Sequence, residues 1–128
     1  MNILSAQVFQ TFPEVQDQIF PGDEDLSYVL LGSVVDWLES LDAPDKQPET
    51  VNRVVQFAKW CTKQPRGESS EDDILTVFSV SFLEKVMESP KLRFLVPKII
   101  DQSSLKDSRE YFLSWVGEEN YKKCLSGY

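Results

Sequence analysis

Residues 71–89 read EDDILTVFSVSFLEKVMES. At 100° per residue, Ile74, Leu75, Phe78, Phe82 and Val86 fall on one apolar stripe. Val80, Leu83 and Met87 form a second stripe beside it, which leaves Val77, Ser81, Glu84 and Glu88 on the remaining strip. A helix apolar over more than half its circumference needs neighbours on two sides, so this is the expected centre of the protein. Ser69 or Ser70 can cap its start, and Glu71, Asp72 and Asp73 place negative charge where the first free N–H groups favour it. Pro90 disfavours helical backbone at Ser89 and marks the end.

Working outward, every other apolar run also has helical spacing. A short helix is expected over 3–12 with Ile3, Leu4 and Val8 inward, followed by a turn through Val15 and Ile19–Phe20 that Pro21-Gly22 breaks. Asp23-Glu24-Asp25 supplies an acidic start for a long helix over 25–41. Its stripe is Leu26, Val29, Leu30, Ser33, Val34, Trp37 and Leu41, and its opposite side carries Tyr28, Gly32, Val35, Asp36 and Glu39. After the loop 42–47, Pro48 suits a first helical position. The helix over 48–63 turns Val51, Val54, Val55, Ala58 and Cys61 to the core and Trp60 away from it.

Residues 64–70 are a loop, and 91–100 form a short element that Pro97 kinks. A turn over 101–106 leads to a last helix with Tyr111, Phe112, Trp115 and Val116 on one face, ended or bent at Gly117. No stretch alternates with period two, and no hairpin turn signal appears. The expectation is one all-α domain over 1–128. It has five to seven helices in antiparallel hairpins, stacked as in HEAT or armadillo modules or gathered into an irregular bundle.

Charge is unevenly distributed. The net charge is −8, yet Glu14, Asp17, Asp23, Glu24, Asp25, Asp36, Glu39, Asp42 and Asp45 all precede the first base, Lys46. An acidic front third repels nucleic acid phosphates and suits a basic protein partner, whose approach it would steer. Solubility alone is the plainer explanation of such charge.

Chemistry is harder to place. The chain has no histidine, so it lacks the usual general base near pH 7 and the commonest metal ligand. Its serines have neither a histidine base nor a Ser-x-x-Lys partner, and its five glycines are scattered rather than gathered into a phosphate loop. The acids at 71–73 and 23–25 stand at consecutive helix-start positions and lack the spacing of a cation-binding loop. No catalytic, metal or cofactor site is expected, and no small-molecule substrate. Cys61 reads as a buried free thiol, and Cys124 stays open. With two isolated cysteines, no basic leader and no apolar run of about 20 residues, a reducing cytoplasmic setting without membrane contact is expected.

The candidate partner-binding residues are therefore Asp23, Glu24, Asp25, Tyr28, Asp36, Glu39, Asp42 and Asp45, with Trp60 as an outlier. Acids would steer and pair, and the rings would anchor. Tyr28 and Trp60 have an equally simple structural use, packing under neighbouring segments. Glu84 is expected on the exposed strip of its helix. Covered by another helix, it would need an arginine or hydroxyl partner.

Four motifs carry a resemblance: FPEV at 12–15, YVLLG at 28–32, VNRVVQFAKW at 51–60 and VSFLEKV at 80–86. Residues 10–90 so arranged resemble small bacterial helical domains found among the immunity-type proteins of toxin–immunity loci. The resemblance implies an acidic protein that binds and neutralises a cognate toxin without catalysis of its own. Two other expectations compete with it. A phage- or plasmid-encoded inhibitor that mimics DNA would carry acids in two regular rows, and a helical adaptor would expose an apolar groove.

Overall fold

The computed structural model describes residues 2–128. Helix α1, Ile3–Thr11, is capped by the Asn2 side chain, which accepts from the Ser5 amide at 2.9 Å. A 3₁₀ turn, Pro13–Gln18, returns the chain to α2, Ser27–Ser40. The 3₁₀ turn Pro44–Lys46 then leads into α3, Pro48–Thr62, with Pro48 at its first position. The central helix follows without a break as α4, Ile74–Phe78, a π-helical turn, Ser79–Leu83, and α5, Glu84–Glu88. Another 3₁₀ turn, Arg93–Leu95, opens the C-terminal third, which consists of α6, Val96–Ile99, α7, Gln102–Asp107, α8, Arg109–Val116, and α9, Glu118–Leu125.

The described residues contain no strand, so the all-α expectation holds. The segments outnumber the expected five to seven because local signals cut the C-terminal third finely. Asp101 caps α7 by accepting from the Ser104 amide at 2.6 Å, so the expected turn at 101–106 is mostly helix. Gly117, at φ +85°, makes the corner between α8 and α9 that a residue with a Cβ would adopt only under strain. The hairpin α2–α3 is present. The second expected hairpin is not, because the chain after Pro90 offers only a 3₁₀ turn and the four-residue α6. The arrangement is an irregular bundle. No helix is long and apolar enough to cross a membrane.

The central helix lies parallel to α2. The Tyr28 hydroxyl donates to the Ser70 carbonyl at 3.3 Å near the starts of both, and Lys91 donates to the Glu39 carbonyl at 2.7 Å near their ends. Its burial differs in phase from a regular wheel. Val77, Ser81 and Glu84, assigned to the open strip, are buried, while Val80 from the second apolar stripe is exposed together with Lys85 and Glu88. The π turn explains the difference, since it accommodates one extra residue per turn and rotates everything after it. Val80 and Lys85, five apart, thus share the outer face.

Helix α2 is rotated in a similar way. Its buried side is Leu30, Leu31, Val34, Val35, Trp37 and Leu38, whereas Leu26 and Val29 are 51% and 50% exposed. Gly32 also faces inward, where the Lys85 ammonium would lie 3.3 Å from an added Cβ. Being gripped by α1 and α3 on one side and the central helix on the other, α2 buries a wider arc than one stripe. In α3 the buried set includes Phe57, and Val51 and Val55 sit half-buried at the wall of a surface cleft.

Aromatic rings link these helices. Phe57 meets Phe12 at 5.6 Å and Phe82 at 6.1 Å, both edge-on, and Phe82 stacks on Phe78 at 5.4 Å. Trp37 tilts against Phe12 at 5.9 Å. Arg53 of α3 lies over both of those last rings, at 5.4 Å from Trp37 and 5.7 Å from Phe12. It donates to the Thr11 carbonyl at 3.0 Å and pairs with both oxygens of Glu14 at 2.9 and 2.8 Å. The N-terminal segment is thereby fastened to α3. Cys61 and Cys124 are buried free thiols, and burial pushes both upward in pKa.

The expected serine cap of the central helix is replaced by a different device. Asp73 precedes α4, and its carboxylate accepts from the Gly67 amide at 3.1 Å, from Arg66 Nε at 3.0 Å and from the Thr76 hydroxyl. Gly67 is required there, because an added Cβ would meet the Asp72 carbonyl carbon at 2.4 Å. The acids 71–73 therefore lie before the helix rather than in its first turn.

Two stability predictions follow from this packing. Phe82→Ala should cost about 3–5 kcal/mol in denaturant unfolding, since it empties the junction of three ring contacts. The Thr76 hydroxyl, followed by the Gly67 amide and Arg66, holds the Asp73 carboxyl at about 2, below its ordinary 3.8. Its contribution to stability is therefore complete above pH 4 and fades as pH falls towards 2. Asp73→Asn should melt below the wild type at pH 7, and the gap should close over that acid range. A gap independent of pH would exclude this role.

Candidate partner-binding surface

The acidic residues divide into two groups with different surroundings. Asp23, Glu24 and Asp25 lie in the turns before α2 rather than in its first turn. Glu24 accepts from the Gly22 amide at 2.9 Å. Asp25 accepts from the Asn2 amide at 2.8 Å and from the Ser5 hydroxyl at 3.2 Å, and the Asn2 contact above all draws its pKa down. These acids help to hold α1 against the start of α2.

The second group is Asp36 and Glu39 on α2, Asp42 just beyond it and Asp45 in the following 3₁₀ turn. All four are exposed, and they recur at every third position. Among the described residues, none of their carboxylates has a hydrogen bond or ion pair. Rigid helix and turn backbone thus presents a row of unpaired negative charge.

The two proposed ring anchors are occupied within the fold. Trp60 is half-buried and stacks on Phe57 with centroids 6.3 Å apart. Tyr28 is half-buried and bonded to Ser70, as described above.

Exposed aromatic surface lies on α8 instead. Phe112 and Val116 face the core, and the neighbouring pair Tyr111 and Trp115, also one turn apart, faces outward with Trp115 63% exposed. This corrects the expectation that all four share the inner face. An eight-residue helix packed on α5 and α9 buries one narrow stripe, and Tyr111 and Trp115 lie just beside it. The two rings are 6.4 Å apart and tilted by 48°.

Tyr111 leads to Glu84. The tyrosine hydroxyl donates to Glu84 Oε2, and the glutamate is only 5% exposed. Glu84 is thus covered, and its partner is a hydroxyl. Desolvation is the largest influence on Glu84 and raises its pKa above the ordinary 4.5. The Tyr111 bond opposes this, and Glu88 adds to it. Burial and the neighbouring carboxylate likewise push Tyr111 upward. The second oxygen, Oε1, has no hydrogen-bond partner among the described residues. It is not among the fully enclosed unpaired atoms, of which Arg53 Nε is the one found, so it keeps contact with solvent.

Among the described residues no group of three or more His, Cys, Asp or Glu is placed to hold a metal ion. No family model matches the chain, and neither the curated proteins nor the solved structures contain a match.

The Glu84 environment has a measurable consequence. Its folded pKa is raised, so the folded state holds its proton more tightly than the unfolded chain does. The neutral form is favoured below about pH 4.5, and the desolvation penalty appears as pH rises through the folded pKa. Glu84→Gln keeps an acceptor for Tyr111 and carries no charge. Its melting temperature should match the wild type near pH 4 and rise above it by pH 7, as followed by circular dichroism.

Proposed function

We propose that this protein is a non-catalytic inhibitor of the immunity type, which binds a basic bacterial toxin domain and covers its substrate cleft. The observation that carries the proposal is the row Asp36, Glu39, Asp42 and Asp45, exposed and unpaired on rigid backbone. Like charges held close together repel, and nothing within the described chain relieves them. A basic cleft on a partner would relieve them, and the same charges would speed the encounter. The motif resemblance of residues 10–90 supplies the partner class. Tyr28, Asp23, Glu24 and Asp25 then border the contact area, with Trp60 supporting it from inside the fold. A cytoplasmic setting belongs to the proposal and is supported by two buried free thiols.

The test is growth rescue and binding with the product of the neighbouring upstream gene. The wild-type chain should protect cells that express that product. The double variant Asp36→Lys/Glu39→Lys should associate about tenfold or more slowly at low salt, with a flatter dependence of rate on ionic strength. Association and protection identical to wild type would remove the acidic row from the mechanism. A neighbouring product that is neither toxic nor bound would remove the inhibitor proposal itself.

A further inference from the structure

We infer that α8 and the outer face of the central helix form a docking site for an arginine side chain of a protein partner, with Glu84 as its counter-ion and Tyr111 and Trp115 as its walls. The inference rests on the proposal that the chain binds a basic protein, and it says where that protein's anchor sits.

Glu84 Oε2 is held by Tyr111, which fixes the carboxylate in one orientation, and Oε1 remains open to an incoming donor. No lysine or arginine of the chain is ion-paired with Glu84. Its neighbour Lys85 is turned aside, with its ammonium against Gly32 of α2. Glu88 adds further negative charge nearby. The local field therefore favours a cation and opposes an anion.

The walls narrow the choice of cation. Trp115 and Tyr111 expose aromatic faces beside the carboxylate, and a planar guanidinium can lie against a ring while donating an N–H in its own plane. A lysine ammonium would satisfy the charge but stack less well. The surroundings suit an apolar rim around such an anchor. Val80, one turn before Glu84, is exposed on the same helix, and Tyr28 is close enough to Tyr111 to influence its ionisation. Beyond Tyr28, Leu26 and Val29 line a shallow depression of about 230 Å³ with Asp25 and Glu71 at its edge. A buried ion pair ringed by apolar contacts that exclude water is the usual composition of a binding hot spot.

The experiment has two arms. In the first, the full chain is titrated with N-acetyl-arginine amide and, separately, with its neutral citrulline analogue, while the Trp115 indole N–H is followed by NMR. A saturable shift in the millimolar range is expected with arginine alone, and it should vanish in Glu84→Gln, whose fold is checked by thermal melting. Equal shifts with citrulline, or an unchanged response in Glu84→Gln, would overturn the inference. In the second arm, Trp115→Ala is measured against the toxin. Because Trp115 is exposed, the variant should fold normally. A loss of about thirtyfold in affinity is expected, carried mainly by faster dissociation. Undiminished toxin binding by Trp115→Ala would overturn the docking site and leave the inhibitor proposal standing. An arginine-specific shift in a chain that binds no toxin would do the reverse.

Discussion

Phe57 is the hinge pin of the molecule. Its ring meets Phe12 of the N-terminal segment and Phe82 of the central helix, both edge-on, and Trp60 lies flat above it. Three segments distant in sequence are thus fixed by one side chain of α3. Arg53, one turn earlier on the same helix, repeats the connection with polar chemistry by covering Phe12 and Trp37 and gripping Glu14. One face of α3 consequently sets the position of α1 and α2, and through Phe82 that of the central helix. The acidic row at the end of α2 is as rigid as these contacts allow.

The π turn at Ser79–Leu83 reconciles two demands on the central helix. Phe78, Phe82 and Leu83 must all face packed neighbours, while Val80 and Lys85 occupy the outside. A regular helix cannot satisfy both sets over five residues, and one widened turn can. The same rotation carries Glu84 under α8, where a charged group is costly to bury unless it is bonded. Fold and candidate anchor site thus share one irregularity, in keeping with the frequent association of π turns with function.

The helical class was legible from periodicity alone, because apolar residues at three- and four-residue spacing have no other economical use. Proline at 48 and glycine at 117 marked an end or a corner as expected, since each acts through its own backbone. What escaped was orientation. A wheel at constant pitch cannot anticipate a π turn, although the five-residue steps Val77 to Phe82 and Phe78 to Leu83 hinted at one. Nor can it tell which of two adjoining stripes on α8 is covered, because that depends on where α5 and α9 lie. Of the candidate surface residues, the exposed row 36–45 was readable from charge. The outward placement of Tyr111 and Trp115 depends on tertiary packing, and their sequence pattern is shared by ordinary core helices. The lone glutamate inside an otherwise apolar helix was the available clue.

The parallel course of α2 and the central helix also bears on how the chain matures during synthesis. The front third finds its fastenings late: Glu14 awaits Arg53, Tyr28 awaits Ser70, and the end of α2 awaits Lys91. Contacts of such sequence separation form slowly, and while translation proceeds they cannot form at all until the later residue has left the ribosome. Residues 1–45 would therefore emerge as a strongly anionic and unsupported segment. Its mutual repulsion would discourage premature collapse and association until the central helix arrives to organise it. A chain of this design becomes competent to bind only when it is nearly complete.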